Sequence, residues 1–386
     1  MRFRFLLSDP DGDLVLSPED LQQPFLTGPS EKHPFLTLED YFGALQAFIV
    51  LNDGAHLRSA LKKQLLADIQ DLAAIPEVLI RSEKHGAFYH IASIELTGLE
   101  KKCKFAVTTA LSEPAKASLM EEFAILQNLA GLNPDYLPVV FHRDSVTCRT
   151  GFGTAEFLMV LGEWLDSYHE WHACAAPASS RQEIQLWDYA EGYRLLSAAE
   201  SFELLRQAAY ILTNYYDQGS FCQIYPWHHG AGDFVLKAAP GGLSVKLITA
   251  RQYEPLVHFD GEEEADRLVA AIHFLLNLCL RVRLDRLAGV GDPAWLDDFA
   301  VTAAVEGFFA GLAATVAADR FLLGSAEDFL EILQAFDARE IFEMYESLLE
   351  IYAEEDQDDF HLIQAKLPDH AVKLHEVLQN FSLEKP

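Results

Sequence analysis

Between Pro76 and Leu165 the chain offers five extended runs and one helix in a fixed order, and this order constrains the fold more than any other feature. VLIRSEKHGAFYHIASIEL reads as two strands rich in β-branched and aromatic residues, turning at Glu83-Lys84-His85-Gly86. KKCKFAVTTAL is a third strand. SEPAKASLMEEFAILQNLAGL carries a proline near its start, good helix formers inside and a closing glycine, so it reads as one helix ending at Gly131. LPVVFHRDSVT and AEFLMVLGEWL then supply two more strands around a turn at Gly151-Phe152-Gly153. The sum is strand, strand, strand, helix, strand, strand.

The flanks differ in texture. Residues 1–36 are rich in Pro, Asp and Gly and predict an irregular arm with a short strand at its start. Thr37-x-x-Asp40 has capping-box spacing and opens an amphipathic helix through Leu38, Tyr41, Phe42, Leu45, Phe48 and Ile49, with a second helix over His56–Leu72. Beyond Asp166 the pattern is mostly helical, with a long helix over Ser201–Gln218 opened by Ser197 or Ser201. Two short strands, DFVL and LSVKLIT, flank a turn at Pro240-Gly241-Gly242, and helices follow to the end. Three segments result: an arm and helical extension over 1–75, a strand-rich part over 76–165, and a helical part over 166–386.

Charge limits the partners. With 29 Lys and Arg against 59 Asp and Glu, the formal net charge is -30. Such a surface disfavours nucleic acid and anionic membranes, whose binding depends on clustered cations. The five cysteines are scattered, odd in number and without a CxxC pair, so neither a disulfide framework nor a zinc ribbon is indicated. MRFRFLLSDPDGD has a short apolar patch followed by acids, unlike a secretory signal, and a cytoplasmic location is expected. Leu268–Leu280 is too short to span a bilayer. Phe299–Ala318 is long enough but carries Glu306 and is flanked by acids, which predicts a buried helix.

The order of elements, followed by Met159-Val160-Leu161-Gly162-Glu163-Trp164-Leu165 as a hinge, by Glu122 in EEFAILQNL and by DFVLK, resembles the protein-kinase-like fold. The nearest likeness is to the aminoglycoside and choline phosphotransferase branch, whose catalytic loop reads HGDxxxxN. The resemblance covers about residues 76–320 at the level of fold and raises an expectation by analogy. It implies an α+β, two-lobed protein: a small five-stranded antiparallel lobe, a larger helical lobe and a helical N-terminal extension. It also implies ATP and magnesium between the lobes, with Leu161 and Glu163 of the hinge and Glu122 of the small-lobe helix at the nucleotide. The His-Arg-Asp tripeptide at His142-Arg143-Asp144 mimics a kinase catalytic loop, yet it precedes the hinge and has Arg149 where asparagine belongs; it reads as a strand entering a hairpin.

Set against that pattern, each chemical position is altered. Phosphoryl transfer needs a lysine on the phosphates, magnesium on hard oxygen ligands and a carboxylate orienting the attacking hydroxyl. Thr108 stands where the lysine should be, while Lys104 lies on the same strand face by period-two alternation and could replace it. Asp233 falls at the metal-binding asparagine, and His228 at the catalytic aspartate, where an imidazole could act as a base or simply fill a polar corner. Thr249 falls at the second metal ligand, a weak choice for magnesium, and Arg251 beside it could meet a phosphate or an acid.

The expectation is therefore a degenerate, pseudokinase-like protein that binds a small molecule, nucleotide or protein partner; the broken motifs equally allow no cofactor at all. One alternative is an atypical ATP-dependent phosphotransferase or nucleotidyl transferase using His228, Asp233, Glu122 and Lys104. Another is a metal-binding protein: His169 and His172 lie three apart on an expected helix face, one residue short of HExxH, and could join His228, His229 and Asp233.

Overall fold

The capping signal at Thr37 is realised atom by atom: Asp40 Oδ2 accepts from the Thr37 amide and hydroxyl at 2.9 Å each, and Thr37 Oγ1 accepts from the Asp40 amide at 3.3 Å. It opens α1 (Leu38–Leu65), which a left-handed turn at Asn52, Asp53 and Gly54 divides into two helical runs, as two were expected. The structure is a computed structural model. It describes residues 1–9, 12–27, 31–65, 72, 75–85, 89–151, 153–175, 182–188, 192–225, 227, 230–239, 241–258 and 264–383. The protein is a mixed α+β chain of two compact units, residues 1–134 with 138–166 and residues 135–137 with 167–386. The first 75 residues, set apart by the sequence as an extension, belong to the same unit as the sheet.

In the first unit the strands are β1 (Arg2–Leu7), β2 (Leu14–Val15), β3 (Pro24–Leu26), β4 (Lys32–Thr37), β5 (Glu77–His85), β6 (His90–Leu96), β7 (Cys103–Ala110), β8 (Val140–Thr150) and β9 (Gly153–Glu163). Helix α2 (Glu113–Leu132) lies between β7 and β8 in sequence, capped by the Ser112 side chain on the Ala115 amide and running one residue past Gly131. The sheet order is β2-β1-β5-β6-β7-β9-β8. Five antiparallel strands were expected; the sheet has seven, and β1 runs parallel to β5 from Arg2↔Glu77 to Leu7↔Ser82. The arm supplies the difference, because RFRFLL alternates well enough to extend a sheet edge that hairpin signals alone do not disclose.

Alternation along the strands gives the sheet two unlike faces. Val78, Ile80, Ala92, Ile94, Phe105, Val107, Phe157, Met159 and Leu161 form one buried core with Tyr41, Phe42, Leu45, Phe48 and Ile49 of α1. On the other face α2 places Ala115 and Leu119 over Ala110, Leu158 and Val160, and the same face carries the charged side chains of Arg81, Glu83, Glu95 and Lys104. His142-Arg143-Asp144 lies inside β8, as expected of a strand; Asp144 Oδ2 is 2.9 Å from His56 Nε2 of α1.

The second unit begins with a small sheet that the sequence did not disclose, β10 (Trp171–Ala175), β11 (Gln182–Leu186) and β12 (Arg194–Leu195), in that order. His169 and His172 were expected on a helix; His172 instead lies on β10, and His169 forms a backbone bridge with Leu236. α3 (Ala198–Tyr215) starts at Ser197, where Ser197 and Glu200 form a complete capping box. Next come β13 (Cys222–Ile224), the single turn α4 (Gly230–Asp233) and the expected hairpin β14 (Phe234–Ala239) with β15 (Gly242–Leu247). β16 (Tyr253–Pro255), α5 (Glu264–Arg281), β17 (Leu284–Arg286), β18 (Pro293–Trp295) and α6 (Phe299–Ala317) follow. The chain closes on α7 (Ala326–Ala335), α8 (Ala338–Met344), α9 (Glu346–Glu355) and α10 (Gln357–Asn380). Among the described residues α6 is the one helix long and apolar enough to cross a membrane. It packs along α3, with Val301, Ala304, Val305, Phe308 and Leu312 buried.

Candidate functional site

The sequence-derived positions fall in both units. In the first, β7 turns Cys103, Phe105 and Val107 into the core, which sends Lys104 and Thr108 to the opposite face. Lys104 Nζ donates to Glu83 Oε1 at 3.1 Å and lies 3.5 Å from the centre of the Trp164 ring, so the ammonium is engaged by a carboxylate and by an aromatic face. Burial lowers the Lys104 pKa, and Glu83 opposes that effect.

Around this pair runs a polar network. Ser93 Oγ donates to Glu83 and accepts from Arg81 Nη1 at 3.2 Å. Arg81 holds Asp13 of the arm with two parallel bonds of 2.7 and 2.6 Å and lies within 3.8 Å of Glu95. Two cations, Arg81 and Lys104, thus face three acids, Asp13, Glu83 and Glu95. A phosphate approaching Lys104 would have to displace its own carboxylate and meet a local excess of negative charge. The sequence reasoning singled out Lys104 and missed its partners, because the pairing of β5, β6 and β7 is what brings residues 81, 83, 93 and 104 together.

Thr108 is half-buried and paired across the sheet with Ile91 and Val160. Leu161, expected at a nucleotide, is buried in the core shared with α1, where it pairs with Val107 and His142. Alternation along β9 aims its side chain away from the face that carries Lys104. Glu163 Oε2 accepts from the Val139 amide at 3.1 Å and the Glu163 amide donates back to the Val139 carbonyl at 2.7 Å, so this residue ties the start of β8 to the end of β9. Glu122 is buried on α2.

In the second unit the stretch from Tyr225 to Lys237 runs into α4 and then β14. His228 and His229 lie outside the described residues. Tyr225 donates its hydroxyl to Glu355 of α9, which also accepts from the buried Arg281 of α5, so the entry to the loop is clamped by the helical core. Trp227 is buried, and Gly230 sits against the Trp171 indole, where a Cβ would stand 3.5 Å from the ring. His169 exchanges backbone hydrogen bonds of 2.9 and 3.0 Å with Leu236. His169 and His172 each lie beside an acid, 3.5 Å from Asp188 and 3.5 Å from Asp285 respectively. Among the described residues no three His, Cys, Asp or Glu side chains gather closely enough to hold a metal ion.

Asp233, the residue expected on magnesium, is 2 % exposed at the end of α4. Its carbonyl accepts from the Ile248 amide at 2.8 Å, which lays the segment of residues 248–251 beside it. Thr249, the position expected to hold the second metal ligand, follows Ile248 in that segment. Arg251 Nη1 lies 2.9 Å from Asp233 Oδ1 and 3.1 Å from Oδ2, so the acid that Arg251 meets is Asp233 itself. These residues do not fit a magnesium ion: a fixed guanidinium already neutralises the carboxylate, and the second position offers only a hydroxyl.

No protein-family model matches this chain, and no curated protein matches it.

Proposed function

We propose that this chain is a degenerate, pseudokinase-like protein of the cytoplasm, a binding module for a small molecule, a nucleotide or a protein partner that performs no ordinary phosphotransfer. The sheet supports the reading, since β5-β6-β7-β9-β8 with α2 between β7 and β8 is the arrangement expected of a kinase-like small lobe. One observation carries the loss of chemistry: the carboxylate expected on the metal is held by Arg251. Lys104, held by Glu83 and Trp164, points the same way.

Two measurements on the purified chain test this. Melting curves with ATP, with and without magnesium or manganese, report nucleotide binding, because a ligand selective for the folded state raises the midpoint by mass action. Transfer of labelled γ-phosphate to water or to small hydroxylated and amino acceptors reports chemistry. Binding without transfer assigns the module to nucleotide, and neither binding nor transfer assigns it to another partner. Transfer clearly above the uncatalysed background overturns the proposal.

A further inference from the structure

His273 of α5 and Ser347 of α9 stand seventy-four positions apart in sequence and meet at the surface, with His273 Nε2 2.9 Å from Ser347 Oγ. The other ring nitrogen, Nδ1, lies 2.8 Å from the Val269 carbonyl oxygen, one turn back along α5. A carbonyl only accepts, so Nδ1 carries the proton, Nε2 presents its lone pair, and the Ser347 hydroxyl donates to it. The Met344 carbonyl, the competing acceptor for that hydroxyl, is farther at 3.4 Å. Two buried tyrosines hold the alignment from either side of Ser347: Tyr345 donates to the Leu276 carbonyl at 2.9 Å and Tyr352 to Asn277 Oδ1 at 2.9 Å, which fixes α9 on α5. Ser347 is exposed and His273 half-buried, so the serine is open to solvent while its partner is held in place.

A hydroxyl bonded to a neutral imidazole, whose far nitrogen is oriented by a third group, is the arrangement that activates a serine for covalent chemistry. We infer that Ser347 is an acyl-acceptor site for activated esters, with His273 as its general base. In the step, Ser347 Oγ attacks the ester carbonyl carbon and its proton passes to His273 Nε2. The bond from that carbon to the alcohol oxygen then breaks, the imidazolium returns the proton to the leaving oxygen, and the products are the free alcohol and an acyl-serine. Glu343, Glu346 and Glu350 are exposed around Ser347, which favours uncharged or cationic acyl groups over anionic ones. The inference uses no part of the kinase-like reading.

The experiment incubates the full chain, Ser347→Ala and His273→Gln with p-nitrophenyl acetate and follows acetylation residue by residue by peptide mass spectrometry. In the unaltered protein Ser347 is expected to gain an acetyl group at least about tenfold faster than the chain's other exposed serines, and His273→Gln should slow that acetylation by about a hundredfold, as loss of a general base does. Ser347→Ala should lose the fast-acetylated peptide and leave slow background acetylation unchanged. A hydrogen bond that only staples the two helices would not move these rates. Acetylation of Ser347 at the rate of other serines, an equal rate in His273→Gln, or an acetyl group on His273 in place of Ser347 overturns the inference. Should His273→Gln fail to fold, the rate at Ser347 against the other serines of the unaltered protein decides alone.

Discussion

Gly311 of α6 lies so close to α3 that a Cβ on it would stand 2.7 Å from Thr213 Cβ and 2.9 Å from the Tyr210 carbonyl oxygen. One turn earlier Gly307 meets the Arg206 carbonyl and Ala209 in the same way. The two glycines form a groove in which α3 rests, and this contact organises the helical unit on which the loop at Asp233 is built. Gly311→Val is expected to lower unfolding stability by about 1–3 kcal/mol, the usual cost of overfilling a close-packed contact. Urea unfolding followed by circular dichroism checks this, with Gly43→Ala as control. Gly43 is helical with nothing within 4 Å of its added Cβ, and should gain about 0.5–1 kcal/mol.

Lys104 is a structural cation. Lys104→Met is expected to cost about 1–2 kcal/mol, between the values for exposed and buried pairs, because Arg81 remains 3.7 Å from Glu83 to hold part of the network. Any midpoint shift that ATP produces in the unaltered protein should persist in the variant. Loss of that shift with unchanged stability would place Lys104 on a phosphate instead.

His370, fully buried on α10, fixes an acid-sensitive point in the second unit. Arg283 can only donate to His370 Nδ1, at 3.4 Å, so Nε2 carries the proton and donates to Tyr345 Oη at 2.8 Å, and Tyr345 donates to the Leu276 carbonyl at 2.9 Å. Burial first and Arg283 second push the His370 pKa down to about 3. The ring is neutral when folded and takes a proton on unfolding, so its contribution is intact above about pH 6.5 and is lost as pH falls toward 3. Unfolding free energies measured at descending pH should fall by about 1 kcal/mol per pH unit from this group alone. His370→Gln should show a shallower slope.

The cap of α3 is the most local feature and the easiest to isolate. Glu200 accepts from the Ser197 amide at 2.8 Å and from Arg194 at 2.7 and 3.2 Å, and the Arg194 hydrogen bonds lead in pulling its pKa down to about 2. That lowered pKa means a contribution present above the unfolded value of 4.5 and lost as pH falls toward 2. Ser197→Ala should cost about 1 kcal/mol, read as a lowered urea midpoint.

What could be read along the chain was what depends on near neighbours. Alternation in KKCKFAVTTAL placed Lys104 and Thr108 on one face, and the spacing of α1 gathered its apolar residues on one side, because periods of 2.0 and 3.6 residues are properties of the backbone itself. Thr37-x-x-Asp40 and Ser197 announced their helices for the same reason: a cap is closed within four residues. The β10–β12 sheet was hidden because its strands are short and pair across segments with no hairpin dipeptide, so WHACA read as a helix face. The added edge of the large sheet was hidden because parallel pairing of β1 with β5 joins residues seventy-five apart.

The chemistry divides along the same line. Composition and the order of strands and helices alone established an acidic α+β chain, since those facts need only the identity of each residue. Which charges neutralise which was decided by tertiary structure: Glu83 for Lys104, Asp13 for Arg81, Arg251 for Asp233. An ion pair depends on a few ångströms of separation and on burial, and neither is set until strands and loops distant in sequence are brought side by side.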